Sequence, residues 1–503
     1  MSDAAARPRL GFPIKVSYGL GAVAQGVGTV ALSTATINFY LVSVVGLRPA
    51  IVGLVILVSL VIDAVIDPAI GRWSDTFRSS WGRRHPFMYA SAIPIALATA
   101  LLWRHPAGLA GNAMAAYVLI TLIVLRLCSG LYQIPSDALT PELAPDYNER
   151  TTLISYRWFF GVVGALVMGL VLGLFYLRKD KSHPLGQYDP AAYAHFGITA
   201  AIVVFVAIMV SSIATHRYIP ILSKAPVRRQ PIGEMFREIL SILSNPSLVA
   251  IMASGLISGI AAGISSSITS FMNYYFWDLT PQVATSLAAL AAPAAIFGVV
   301  LAPILSRRLD KKRTMMTVFI LSIFVGVAPV SLRLLGVLPP NVSPVIPLVL
   351  VADLIVAGTL ALIGFIIIGS MVADVAEDSA VKNGVRSEGL LFATNGLLPK
   401  VTTGVGNLIG NLMLEFVHFP VGAAPTPGHP VVIAPEIMRH LALISLPAGA
   451  ILNIISVAVL MFYRLDKSSH EANLEALRLA SEVTEPPIGL TSGAPIIGER
   501  GPI

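Results

Sequence analysis

About twelve stretches of this chain are each long and apolar enough to cross a bilayer, and that pattern constrains the fold before any motif is read. A spanning helix needs about 20 mostly apolar residues. Such runs fall near 17–44, 49–71, 86–103, 113–139, 152–177, 195–214, 247–277, 282–305, 314–336, 345–375, 388–416 and 440–463. Open backbone is not tolerated in lipid, so runs of this length predict helices. The expected class is all-α: a polytopic membrane protein with 12 transmembrane helices in two six-helix bundles. Of 503 residues, 55% are hydrophobic and 12% charged, against about 25% charged in a soluble domain. The first apolar run, from about Val16, outlasts the ~7–15-residue core of a cleaved signal and reads as the first span. A single cysteine, Cys128, excludes a disulfide framework and a cysteine metal site.

Charge placement tests the count. With the N-terminus inside, about 24 of the 34 Lys and Arg fall on the cytoplasmic side and about 7 on the other. A miscounted span would scramble that bias, so both termini are expected in the cytoplasm, in a bacterial inner membrane. The net charge of +7 therefore orients the chain and gives no sign of nucleic-acid binding. The longest connection divides the sequence into a bundle at 1–214, a cytoplasmic linker at 215–246 and a second bundle at 247–467. A Pro- and Gly-rich tail at 468–503 is expected to be disordered. "GRWSDTFRSSWGRR" after the second run and "APILSRRLDKKR" after the eighth suggest a duplicated unit.

Ionisable groups at bilayer depth cost about 2.5–3.5 kcal/mol each on insertion scales and mark function by default. Here they are Asp63, Asp67, Arg126, Arg157 and Lys400, with Asp353 nearer an outer end. Asp63 and Asp67 are four apart and share a helix face. Two such carboxylates would hold a proton, or a metal cation if more oxygens converge. Pro68 removes a backbone donor beside them. The competing reading is a set of structural ion pairs with Arg126 and Arg157. Arg126 reads first as a partner for the aspartates, and Arg157 as either a ligand anchor or a gate. Lys400, in the Gly-, Thr- and Asn-rich "FATNGLLPKVTTGVGNLIGNLM", reads as interior.

With these residues in view, the chain resembles the glycoside–pentoside–hexuronide:cation symporters, the melibiose-permease branch of the major facilitator superfamily. The likeness covers about residues 13–470. It rests on "SYGLGAVAQG", "IDAVIDPAIGRWSDTFRSSWGRRHPF", "IPSDALTPELAPDYNERT" and "SMVADVAEDSAVKNGVRSEGLLFA". The resemblance implies the major facilitator fold, with the coupling cation at Asp63 and Asp67, the conserved lysine at Lys400 and the helix-five arginine at Arg157. It implies a cytoplasmic gate at Gly71, Asp75, Arg83, Arg84, Asp374, Arg386 and Glu388; a solvated charged face is the plainer alternative for these. Further cleft positions are Tyr18, Gln25, Asn273, Tyr274 and Asn395; the aromatics could equally be packing.

The departures carry information too. Where melibiose permease grips sugar hydroxyls with acids on helices one and four, this chain has Gly26 and Gln133. Two neutral sodium ligands of the family are replaced by Ile66 and Gly130. A hard cation wants several oxygens, so the pattern favours a proton over sodium. Arg126, Arg157 and Lys400 also exceed the helix-two acids by one charge, which tilts the reading towards an acidic sugar or conjugate, with a neutral glycoside close behind. The expected function is a monomeric cation-coupled symporter of a small sugar-like solute, working by alternating access without a cofactor or structural metal. An acidic or amphiphilic cargo, or a non-transporting sensor, are the alternatives. No H-E-x-x-H, G-x-S-x-G or Cys/His set suggests an enzyme.

Overall fold

The computed structural model describes residues 10–178, 186–222, 246–383, 396–422 and 433–463. The chain forms α1 (Phe12–Ala31, bent by 41° into Thr34–Val44), α2 (Pro49–Thr76), α3 (His85–Leu102), α4 (Gly111–Leu143) and α5 (Tyr147–Leu170, ending in a π turn Val171–Tyr176). It continues through α6 (Pro190–His216), α7 (Pro246–Phe271, ending in a π turn Met272–Phe276), α8 (Pro281–Leu290 and Pro293–Leu309) and α9 (Lys311–Leu334). The last three are α10 (Val345–Asn383), α11 (Leu398–Phe416) and α12 (Pro435–Leu460). Among the described residues, ten helices are long and apolar enough to cross a membrane, or eleven when the bent α1 is counted. The twelfth, α11, falls short of that hydropathy because it carries Lys400, Thr402, Thr403, Asn407 and Asn411. It packs between α2 and α7 nonetheless.

Local chemistry sets the ends. Proline opens α2, α6, α8, α11 and α12, where its missing N–H costs nothing. Asp146, Asp189 and Thr280 accept hydrogen bonds from the first turns of α5, α6 and α8. Pro293 breaks α8 after Leu290 because it can neither donate nor fit against the preceding turn.

The duplicated unit suggested by the basic turns is visible in the packing. In the first half α1 packs on α5 and α6, α2 on α4, and α3 on α4 and α6; α7 to α12 repeat every one of these pairings. Among the described residues, the closest approaches of a glycine to a neighbouring backbone repeat as well. A β-carbon on Gly26 of α1 would overlap the Gly161 carbonyl of α5, and one on Gly406 of α11 would overlap the Ile260 carbonyl of α7. Small residues let these backbones touch.

The basic end of the bundle carries residues 76–85, 143–150 and 307–313; the opposite end joins the two halves. There the Asn411 amide donates to Asn38 Oδ1 at 3.1 Å, Gly422 N–H donates to the Val42 carbonyl at 3.0 Å, and Gln282 donates to the Leu177 carbonyl at 2.9 Å. Phe39 packs against Phe271 and Tyr274. Glu415 of α11 accepts from Arg48 and from the Ala50 N–H of α2. We expect Glu415→Ala to loosen this seal. Maleimide labelling of a cysteine at Thr34, in a Cys128→Ser background, should speed up about fivefold, the effect of one partly exposed charged contact. An unchanged rate would show that the clamp does not hold the end shut.

Of the expected linker, residues 215–222 are described, ending in a 3₁₀ turn Ile219–Ile221; the tail at 468–503 lies outside the described residues.

Candidate functional site

Between the halves lies a cavity of about 690 Å³, lined mainly by α1, α2 and α4, with Arg157 from α5, Ser266 from α7 and Lys400 from α11. Asp63 and Asp67 sit one turn apart on α2 and both line it. The Lys400 ammonium bridges them, 2.8 Å from Asp63 Oδ2 and donating a hydrogen bond to Asp67. Arg126 reaches the same cluster from α4. Its guanidinium is 4.0 Å from Asp63 Oδ2, and its Nε donates to Ser59 Oγ at 3.1 Å. Gly130 faces Asp67 directly, since a β-carbon there would lie 3.1 Å from Asp67 Oδ1. A hydroxyl-bearing side chain at this position would reach the carboxylate; glycine leaves it one oxygen poorer.

A second charged cluster occupies the wall nearer the basic end. Arg157 donates to Ser136 Oγ at 2.7 Å and pairs with Asp137. Its guanidinium lies over the Tyr18 ring, 5.0 Å from the centroid. Tyr18 in turn donates to the Ser136 carbonyl at 2.6 Å, and its Oη is 2.7 Å from Thr140 Oγ1. Gln133 and Asp137, four apart on α4, both line the cavity. Asp137 is the residue that sequence reasoning missed. Its spacing from Gln133 was the available signal. It also corrects the charge count: among the described residues of the lining, Asp63, Asp67 and Asp137 match Arg126, Arg157 and Lys400, with no formal surplus.

The other expected cleft residues are placed as follows. Gln25 lines the cavity. Gly26 does not; it points into the α1–α5 crossing. Tyr18 is buried behind Arg157. Tyr274 packs edge-on to Phe39 in the seal, with ring centroids 4.9 Å apart. Asn273 lines a separate cavity of about 510 Å³ inside the second half, together with Asp353. Asn395 lies outside the described residues.

At the basic end Arg84 pairs with Glu142 at 2.8 Å and Asp75 at 3.3 Å, and Arg83 also pairs with Glu142. Burial pulls the Arg84 guanidinium pKa down, and the Glu142 carboxylate opposes that. Glu142, from "TPEL", is a second residue that motif reading passed over. Lys311 donates to both Asp374 oxygens at 2.7 Å. Each of these pairs joins helices of one half. Among the described residues, a β-carbon on Gly71 would meet only Ile134, at 3.6 Å, the distance of ordinary packing. Arg386 and Glu388 lie outside the described residues.

Comparison with known proteins adds the following. A family model described as MFS/sugar transport protein matches residues 17–467. The isoprimeverose transporter of Lactiplantibacillus pentosus is 26% identical over 407 residues, covering 80% of this chain and 79% of that one. An uncharacterized symporter of Synechocystis sp., sll1374, is 32% identical over 193 residues, 37% of this chain and 35% of that one. Among solved structures, the nucleoside transporter NupG superposes with a TM-score of 0.60 at 14% identity, covering 89% of this chain and 98% of NupG. That likeness shows the fold: among the described residues, twelve helices in two six-helix bundles.

Proposed function

The chain belongs to the MFS/sugar transport protein family, and from that membership we propose that it is a proton-coupled symporter of a neutral glycoside. The observation that carries this reading is the Lys400 ammonium seated between Asp63 and Asp67 inside the central cavity. A place that holds one positive charge against two carboxylates is a place for a mobile cation. Protonation of Asp67 weakens its pair with Lys400, and a released lysine can turn its hydrogen bonds to a cargo hydroxyl. Cation and cargo then each raise the other's affinity by the same factor.

Proton is favoured over sodium because the cluster is poor in oxygen. Gly130 stands opposite Asp67 where a hydroxyl would complete a shell, and hard cations take about six or more oxygens. A neutral cargo is favoured because Asp137 cancels the surplus positive charge that would select an acidic one. Gln25, Gln133 and Asp137 then supply donors and acceptors for sugar hydroxyls. The name of the isoprimeverose transporter, matched over four fifths of the chain, points the same way. With the basic end in the cytoplasm, the sealed opposite end makes this the inward-facing arrangement, and the halves rock about the cavity to complete the cycle.

Proteoliposomes with an imposed pH gradient or sodium gradient, tested on a panel of neutral glycosides, decide the matter. Concentrative uptake is expected on imposing inward proton flow. Uptake driven by sodium alone would refute the proton assignment. Binding without uptake under either gradient would favour a sensor.

A further inference from the structure

A groove of about 680 Å³ runs between α3 and α6 at the basic end, away from the central cavity. Ile93 and Ile213 on its walls are 60% and 59% exposed, so it faces acyl chains. Phe205, Met209 and Ile213 are four apart and form one stripe along α6. From Phe205 to His216 the stripe extends about 16 Å at 1.5 Å per residue, close to the ~15 Å of one leaflet.

The mouth of the groove is polar and aromatic. Trp81, Tyr89, His216 and Arg217 line it. Tyr89 Oη lies 3.2 Å from His216 Nδ1, and the Trp81 ring stands edge-on to both rings. Arg217 is exposed, its guanidinium over the Tyr218 ring, and among the described residues it makes no ion pair. Among the described residues no Asp or Glu lines the groove, so a headgroup ammonium finds no partner among them.

We propose that this groove binds an anionic phospholipid of the leaflet at the basic end. The phosphate meets Arg217 and His216, and one acyl chain lies along Phe205, Met209 and Ile213. The plainer role for Arg217, a cation at the C-terminus of α6 favoured by the helix dipole, would not distinguish one lipid headgroup from another.

The test is native mass spectrometry of the full chain with equimolar phosphatidylglycerol and phosphatidylethanolamine of identical acyl chains. Phosphatidylglycerol should dominate the bound lipid. Arg217→Gln should lower its binding about fivefold, as expected for one juxtamembrane cation, with phosphatidylethanolamine unchanged. Ile213→Gln should lower both. Arg150→Gln, a charge removed at the same end outside the groove, should change neither. Equal retention of the two lipids by the unaltered chain overturns the proposal. So does full phosphatidylglycerol binding by Arg217→Gln, or a loss as large in Arg150→Gln.

Discussion

Asp67→Asn is expected to abolish concentrative uptake while leaving exchange of cargo across the membrane intact. One proton moved down a potential of 100 mV releases about 2.3 kcal/mol, enough for about 50-fold accumulation. An asparagine cannot take up and release that proton, so the accumulation ratio should fall from tens to about one. Exchange needs only the cavity and the rocking of the halves, both of which survive. Asp67 is the cleaner choice of the two acids. Asp63 is buried and shared between Lys400 and Arg126. Neutralising it strands a second buried cation, and loss of a buried charge partner costs about 3–5 kcal/mol. Asp67 meets Lys400 alone among the described ion pairs. The measurement is gradient-driven uptake beside counterflow in the same vesicles. Tens-fold accumulation by Asp67→Asn would end the coupling assignment, and loss of counterflow would point to a cargo role for Asp67.

The sequence made the spans legible because lipid leaves the backbone few choices, and it made the α2 acids legible because two unpaired carboxylates in one membrane turn have few structural excuses. Lys400 was legible for the same reason. Asp137 was not. It lies near the end of its apolar run, where an acid reads as readily as loop as lining. Gly26 was ambiguous because a helical glycine marks either a cleft or a crossing, and only its position against Gly161 decides which. The end of α7 far from the basic loops misled for a different reason. A π turn at Met272–Phe276 shifts the phase of the helix, so ordinary 3.6-residue spacing cannot say which way Asn273 and Tyr274 turn. The charge surplus inferred from five residues vanished with a sixth. An electrostatic argument about cargo is only as good as its census of the lining.

Gly26→Asp, which restores the acid found at the matching place in melibiose permease, is expected to damage the fold and to create no galactoside site. Its β-carbon would overlap the Gly161 carbonyl oxygen and come within 2.7 Å of the Ala165 nitrogen, both main-chain atoms of α5. Neither can swing aside as a side chain could, so α1 and α5 must separate. Overpacking of this kind costs about 1–3 kcal/mol. A carboxylate stranded between two helices adds about 2.5–3.5 kcal/mol on insertion scales. Together these come to about 3.5–6.5 kcal/mol, as much as the lower end of the stability of an ordinary domain, about 5–15 kcal/mol. The folded yield and thermal midpoint in detergent should drop sharply. Gln25→Asp makes the contrast, because Gln25 does line the cavity: it should fold normally and change cargo affinity. If Gly26→Asp instead folds well and gains galactoside uptake, α1 must be rotated by about one residue from the arrangement seen here. The cavity would then have to be redrawn from α1 outward, with Gly26 in the lining and Gln25 outside it.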